Sequence, residues 1–198
     1  ALPSRALTGP NGSTRSYWLS LLSESIDGIR TTLLFDAGKR SIRTIMVTSA
    51  VGHEGKTTLA THLATSLARA GRRTILVDCD LRRPAVHELF GLPLQPGFAG
   101  LIKGSDDLQH AICSTHVADL WVLPAGETQI GTAEGLTNGK VDRIFNQLKE
   151  EYEFVVIDSA PVLPVADSLI VAQRVAGVIL SVLRGVSQMP RVLAPQRR

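Results

Sequence analysis

Nine consecutive residues, Ala50-Val51-Gly52-His53-Glu54-Gly55-Lys56-Thr57-Thr58, have the types and spacing needed to hold a phosphate chain. Ala50–Thr57 fits the pattern [AG]-x4-G-K-[ST], and an apolar stretch precedes it while a helical pattern follows. A strand–loop–helix of this kind gathers backbone N–H groups and the positive end of a helix dipole into an anion hole. Gly52, His53, Glu54, Gly55 and Thr58 form or border that cradle, and Gly55 lets the backbone come close to a phosphate. Lys56 would reach the β- and γ-phosphates, and Thr57 would ligate Mg²⁺.

Two acidic sites complete the set. Asp158 follows the apolar run Phe154-Val155-Val156-Ile157, the pattern of a strand whose terminal carboxylate enters a magnesium sphere. Asp78 and Asp80 follow a second apolar run, Thr74–Val77. Being two apart, they point to the same side of an extended backbone. Like charges so placed repel, and a divalent cation or a transferred proton would relieve them. An acceptor hydroxyl placed there could lose its proton to one of them.

These side chains converge only if the chain places them at one edge of a sheet. Apolar, β-branched strands are expected at Ile42–Thr48, Thr74–Val77, Leu120–Leu123, Phe154–Ile157 and Val178–Leu183. Helices are expected at Lys56–Ala70, Pro84–Phe90, Val141–Tyr152 and Val165–Val175, and residues 92–118 read as a loop with short helices. This alternation implies a three-layer α/β fold of the P-loop NTPase kind, a mostly parallel central sheet with helices on both faces. Right-handed crossovers put the strands' C-terminal ends on one edge, where open α/β sheets bind ligands. Ahead of the first strand, Tyr17–Phe35 has apolar residues at helical spacing, and Asp36-Ala37-Gly38 is expected to end that helix. Residues 1–16, rich in Pro, Gly, Ser and Thr, read as a flexible leader, leaving 17–198 as one domain.

Composition agrees with this and narrows the alternatives. The 198 residues are 44% hydrophobic and 20% charged, ordinary globular values. A chain of this length buries about 70% of its unfolded surface and needs no disulfide or metal staple. Aromatics are 5%, too few for base-stacking platforms, and the net charge of +3 does not demand nucleic acid. The longest mostly apolar run, Ala176–Leu183, is too short to span a bilayer, and no apolar signal segment is seen at the start. Cys79 and Cys113 have no metal-ligand spacing, which points to a reducing compartment. His62, His87, His110 and His116 likewise read as structural or exposed.

The three stretches SAVGHEGKTT, ILVDCDLRRP and FVVIDSAP together resemble the Walker A, A′ and B boxes of the bacterial tyrosine kinases (BY-kinases) of capsule and exopolysaccharide assembly. The similarity covers about residues 23–188, and DCDLRRP is its most specific part. The resemblance implies ATP-dependent tyrosine phosphorylation. Lys56 and Thr57 would hold phosphate and Mg²⁺, Asp80 and Asp158 would complete the magnesium environment, and Asp78 would polarise the tyrosine hydroxyl, with the roles of Asp78 and Asp80 open to exchange. Arg82 and Arg83 would order the site or touch a neighbouring subunit, and Arg184 is a candidate to approach ribose or base. It also implies a homo-oligomer, a protein acceptor, a two-helix membrane activator fused or separate, and a place on the cytoplasmic face of the bacterial membrane.

The chain departs from the family pattern in three places. Gly52-His53 replace a usual Pro-Gly pair. In the family's E-x-x-R-x-x-R oligomerisation helix, Glu24 and Arg30 match, but Asp27 stands at the middle Arg and Thr32 at a following Asn. The family's C-terminal tyrosine cluster has no counterpart, since Tyr17 and Tyr152 are the two tyrosines, and a C-terminally truncated domain is expected. Two further readings stand beside the kinase: an ATPase switch of the ParA/MinD kind, against which Val51 in place of a Lys argues, and a non-catalytic nucleotide-binding scaffold.

Overall fold

In a computed structural model, residues 12–40, 42–127, 136, 139–183 and 186–193 are described. A long helix α1 (Gly12–Arg40) precedes strand β1 (Thr44–Ser49) and helix α2 (Lys56–Arg69). Then come β2 (Thr74–Cys79), α3 (Val86–Phe90), α4 (Phe98–Lys103), α5 (Leu108–Ala111), β3 (Cys113–Ser114) and β4 (Leu120–Leu123). The chain continues with α6 (Lys140–Glu151), β5 (Phe154–Ser159), α7 (Asp167–Ala172), β6 (Gly177–Ser181) and α8 (Met189–Leu193).

The strands form a sheet in the order β3-β4-β2-β5-β1-β6, parallel except for the short β3. β1, β2 and β5 are buried along their whole length, as expected of central strands covered on both faces. Their alternate residues feed two cores. Met46, Ile75, Val77, Val155 and Ile157 pack with α4 and α6, where Phe98 and Phe145 stack at 6.1 Å. Ile45, Val47, Leu76 and Val156 pack with Leu63 and Leu67 of α2, and Ile29, Leu33 and Leu34 of α1 cover that layer. The expected three-layer architecture and mostly parallel sheet are therefore present.

Most strands and helices start or stop one to three residues from their expected bounds, and α1 differs most at its two ends. α1 begins at Gly12, so residues 12–16 are helical rather than part of a leader, and residues 1–11 lie outside the described ones. It also runs through Asp36-Ala37-Gly38 to Arg40. One interior glycine costs a helix only about 1 kcal/mol, less than docking on α2 returns. The hydroxyls of Ser25, Thr31 and Thr32 donate to carbonyls one turn back, at 2.7–3.1 Å, so they do not compete with the helix. Asp27, the departure from the oligomerisation pattern, accepts from Ser66 Oγ of α2 (2.6 Å) and from Arg30 (2.8 Å). Arg30 also donates to Ser66 Oγ at 3.0 Å, so both helix charges face the chain's own second helix.

Candidate active site

The sheet order puts β5 between β2 and β1, so the loops after β1, β2 and β5 lie side by side at the C-terminal edge. Asp78 of β2 and Asp158 of β5 are register partners, one beside the other. No local pattern announces this pairing; it follows from which strands neighbour.

Lys56, the first residue of α2, is buried among the acids. Its Nζ lies 2.7 Å from Asp80 Oδ2 and 3.8 Å from Asp158 Oδ1, and donates to Thr57 Oγ1 at 3.2 Å. Burial by itself pushes this ammonium's pKa down, but Asp158 and Asp80 outweigh it, and the net shift is upward. The carboxylates shift the other way. Desolvation raises Asp158 to about 7, partly offset by Lys56 and reinforced by Asp78. Desolvation also raises Asp78 to about 6.

The sign of the pH effect follows. Both carboxyls bind protons more tightly folded than unfolded, so their contribution to stability is complete below about pH 4 and is lost as pH rises through 6 and 7. The chain in EDTA is expected to lose unfolding free energy between pH 4 and pH 7 from these two groups. Urea midpoints for the wild type and for Asp158→Asn, measured across that range, check it. An equal pH slope in the two proteins would contradict the assignment.

Asp78 is fully buried, and its two oxygens accept from three backbone amides: Asp80 N, Ala85 N and Val86 N, each at 3.1 Å. It staples the loop that carries Asp80 and caps α3. Of the two acids whose roles the resemblance leaves open to exchange, Asp78 is the one enclosed by amide donors in this structure. Asp80 is the acid facing Lys56, and its Oδ1 accepts from Arg83 N. Asp78→Asn would set an amide NH₂ against N–H donors and is expected to cost about 1–3 kcal/mol of stability. Urea unfolding measures this; unchanged stability with lost turnover would assign the acceptor's proton to Asp78.

The loop itself is held from several sides. Gly52, His53 and Gly55 are exposed on its surface, whereas Glu54 is buried. Glu54 Oε2 accepts from Val51 N (3.0 Å), so this side chain braces the loop from within rather than lining the cradle. Ser49 Oγ donates to Val51 O at 2.7 Å. Val162 N and Leu163 N donate to Ser49 O and Ala50 O, and Thr48 Oγ1 donates to Ala160 O, tying the segment after β5 to the loop's root. Arg82, itself exposed, reaches the mostly covered Asp167 at the start of α7 (3.2 Å), a pair at the surface worth about 1 kcal/mol. These serines and threonines carry no motif signal, only the fact of small hydroxyls at strand ends. Arg184 lies outside the described residues.

His53 stands where a glycine is usual, and its φ is +66°, in the left-handed region. That conformation costs a residue with a Cβ roughly 1–2 kcal/mol, while glycine's extra unfolded freedom takes back about 0.5–1. His53→Gly is expected to stabilise the chain by about 0.5–1 kcal/mol, read as a shift of the urea midpoint.

The residues present suit magnesium with a nucleotide. Neither oxygen of buried Asp158 accepts a hydrogen bond at ordinary geometry, an arrangement a water-bearing cation would satisfy. Among the described residues no cluster of three or more His, Cys, Asp or Glu could hold a metal by itself. Mg²⁺ commonly uses one or two carboxylates together with phosphate oxygens. Thr57, Asp80 and Asp158 are the residues that would hold it.

Residues 42–190 match the sequence profile of the AAA domain family. The chain is 34% identical over 161 residues to the putative tyrosine-protein kinase CapB of Staphylococcus aureus, covering 81% of this chain and 71% of that protein. The kinase domain of Escherichia coli tyrosine kinase ETK superposes with a TM-score of 0.84 at 26% identity, covering 88% of this chain and 69% of that one. The chimerical protein CapA2B2 superposes with a TM-score of 0.83 at 31% identity, covering 88% and 76%. A P-loop and two acid-bearing strands, β2 and β5, thus meet in a chain that belongs to the bacterial tyrosine-kinase (BY-kinase) family.

Proposed function

We propose that this chain transfers the γ-phosphoryl group of ATP to a tyrosine hydroxyl of a protein acceptor, in the control of capsular or exopolysaccharide synthesis and export. The observation that carries the reading is the buried convergence of Lys56 with Asp80 and Asp158 beside a P-loop. Loop amides would bind the phosphates, and Lys56 would exchange Asp80 for phosphate oxygens. That exchange frees Asp80 Oδ2 to join Thr57 and Asp158 around magnesium, and the tyrosine proton goes to the Asp78–Asp80 pair, whose roles the resemblance leaves open to exchange. Magnesium, when bound, neutralises charge on the β- and γ-oxygens. The acceptor loses its proton and gains the phosphoryl group, and ADP leaves.

Tyr152 is buried, edge-on to Trp121 at 5.3 Å and with the Arg73 guanidinium 5.8 Å from its ring. Its hydroxyl is a poor acceptor in the folded chain, so the substrate tyrosine belongs to another segment or another protein. The similarity to the chimerical protein CapA2B2 supports a partner chain, and a membrane activator, fused or separate, is the partner proposed. No described helix is long and apolar enough to cross a membrane. Oligomerisation through α1 would have to compete with the Asp27–Ser66–Arg30 contacts.

The test uses ATP, Mg²⁺ and a tyrosine-rich peptide with the wild type, Lys56→Met and Asp80→Asn. Phosphotyrosine from the wild type and its loss in both variants are expected. Hydrolysis without phosphotyrosine would indicate a nucleotide switch instead, and binding without turnover a scaffold.

A further inference from the structure

Strand β6 pairs with β1 so that Ser181, its last residue, stands level with Ser49, the last residue of β1. The P-loop rises from that point. Ser181 is buried, and its hydroxyl donates to the backbone oxygen of Glu54 at 2.6 Å. Nothing in the phosphate-binding pattern calls for a residue at this place, 127 positions further along the chain.

The consequence lies in the geometry of one peptide. In a trans peptide the C=O and the following N–H point in opposite directions. Ser181 holds Glu54 O toward the edge strand, so the N–H of Gly55 faces the other way, away from β6. Gly55 has φ +78°, and the freedom glycine brings there lets this peptide plane turn over if nothing holds it. On the other side Glu54 Oε2 closes on Val51 N, and Gly55 O accepts from Leu59 N to begin α2. The Glu54–Gly55 peptide is therefore gripped at its carbonyl by a residue of a distant strand.

We infer that Ser181 is a positioning residue for nucleotide binding, which fixes the Glu54–Gly55 peptide so that the Gly55 amide is preset toward a phosphate oxygen. The inference rests on the nucleotide-site reading above. It makes β6 part of the nucleotide cradle although no β6 side chain need touch the nucleotide.

The experiment compares full-length wild type, Ser181→Ala and Ser181→Thr by calorimetric titration with MgADP, by melting of the nucleotide-free proteins, and by amide exchange at Gly55. A hydrogen bond of this kind is worth roughly 1–1.5 kcal/mol, so Ser181→Ala is expected to bind about tenfold more weakly. Its nucleotide-free melting temperature should fall by a few degrees at most, the effect of one lost buried hydrogen bond, and Ser181→Thr should recover it. Gly55 exchange should quicken in Ser181→Ala, and Ser181→Thr, which keeps the hydroxyl, should restore both affinity and protection. Wild-type affinity in Ser181→Ala would overturn the inference. So would weakened binding that follows a lowered melting temperature in both variants, since that pattern marks packing alone. Failure of the wild type to bind MgADP would reject the nucleotide site itself, and this inference with it.

Discussion

Lys56→Met is expected to lower phosphoryl transfer at least 10²–10³-fold, roughly the effect of deleting one preorganised charge-stabilising donor. It should also destabilise the nucleotide-free chain. Lys56 is the ammonium among three buried carboxylates, and removing one partner of a buried pair costs about 3–5 kcal/mol. The cost depends on pH. Asp158 and Asp78 already take up protons near pH 7 and 6, and without the ammonium they will do so at still higher pH. Protonation relieves their repulsion, so the variant should lose less stability at pH 6 than at pH 8. Urea unfolding at both values measures this. A loss of transfer with no change in stability at either pH would mean that Lys56 is not held by those acids in the nucleotide-free chain.

Gly97→Ala is expected to be among the most damaging single-methyl changes, at about 3 kcal/mol or more. The backbone at Gly97 is extended, so conformational freedom is not the reason. A Cβ there would collide with Gly126 N and stand 2.7 Å from Gly126 Cα and Pro124 O, all backbone atoms. Making room separates the start of α4 from the segment after β4. That breaks the bonds from Phe98 N to Pro124 O (2.8 Å) and from Ala99 N to Ala125 O (2.7 Å). The check is the urea midpoint of Gly97→Ala against that of Gly104→Ala, where the added methyl meets only the end of the Lys140 side chain, at 3.1 Å. The Gly104 variant carries its own left-handed strain of about 1–2 kcal/mol, so a Gly97 loss no larger than that would contradict the contact argument.

The parts of the site legible in the sequence are those whose chemistry is local. Gly55-Lys56-Thr57 needs its residues in one turn, and Asp158 is announced by the apolar strand it ends. The parallel sheet was legible for a similar reason, since strands buried on both faces lose their alternation and read as continuous apolar runs. What the sequence could not convey is lateral. The pairing of Asp78 with Asp158 depends on β2 lying beside β5, and the grip of Ser181 on Glu54 depends on β6 lying beside β1. Asp78 shows the limit most clearly. The spacing of Asp78 and Asp80 put them on one side, which suggested two open acids. The chain then turns at Asp80 and folds Ala85 and Val86 back over Asp78, so one acid became a staple. The end of α1 was misplaced because a Gly after Asp-Ala reads as a stop, while tertiary docking on α2 outweighs one glycine's cost.

The central claim is that one edge of the sheet forms a magnesium–nucleotide site built on Lys56. Calorimetric titration with a non-hydrolysable ATP analogue, in Mg²⁺ and in EDTA, for the wild type and Lys56→Met, tests it most directly. One site per chain is expected, weakened more than about tenfold by EDTA and again by Lys56→Met, as the loss of a charge-assisted contact implies. Equal affinity in all four titrations, or no binding by the wild type in Mg²⁺, would contradict the account.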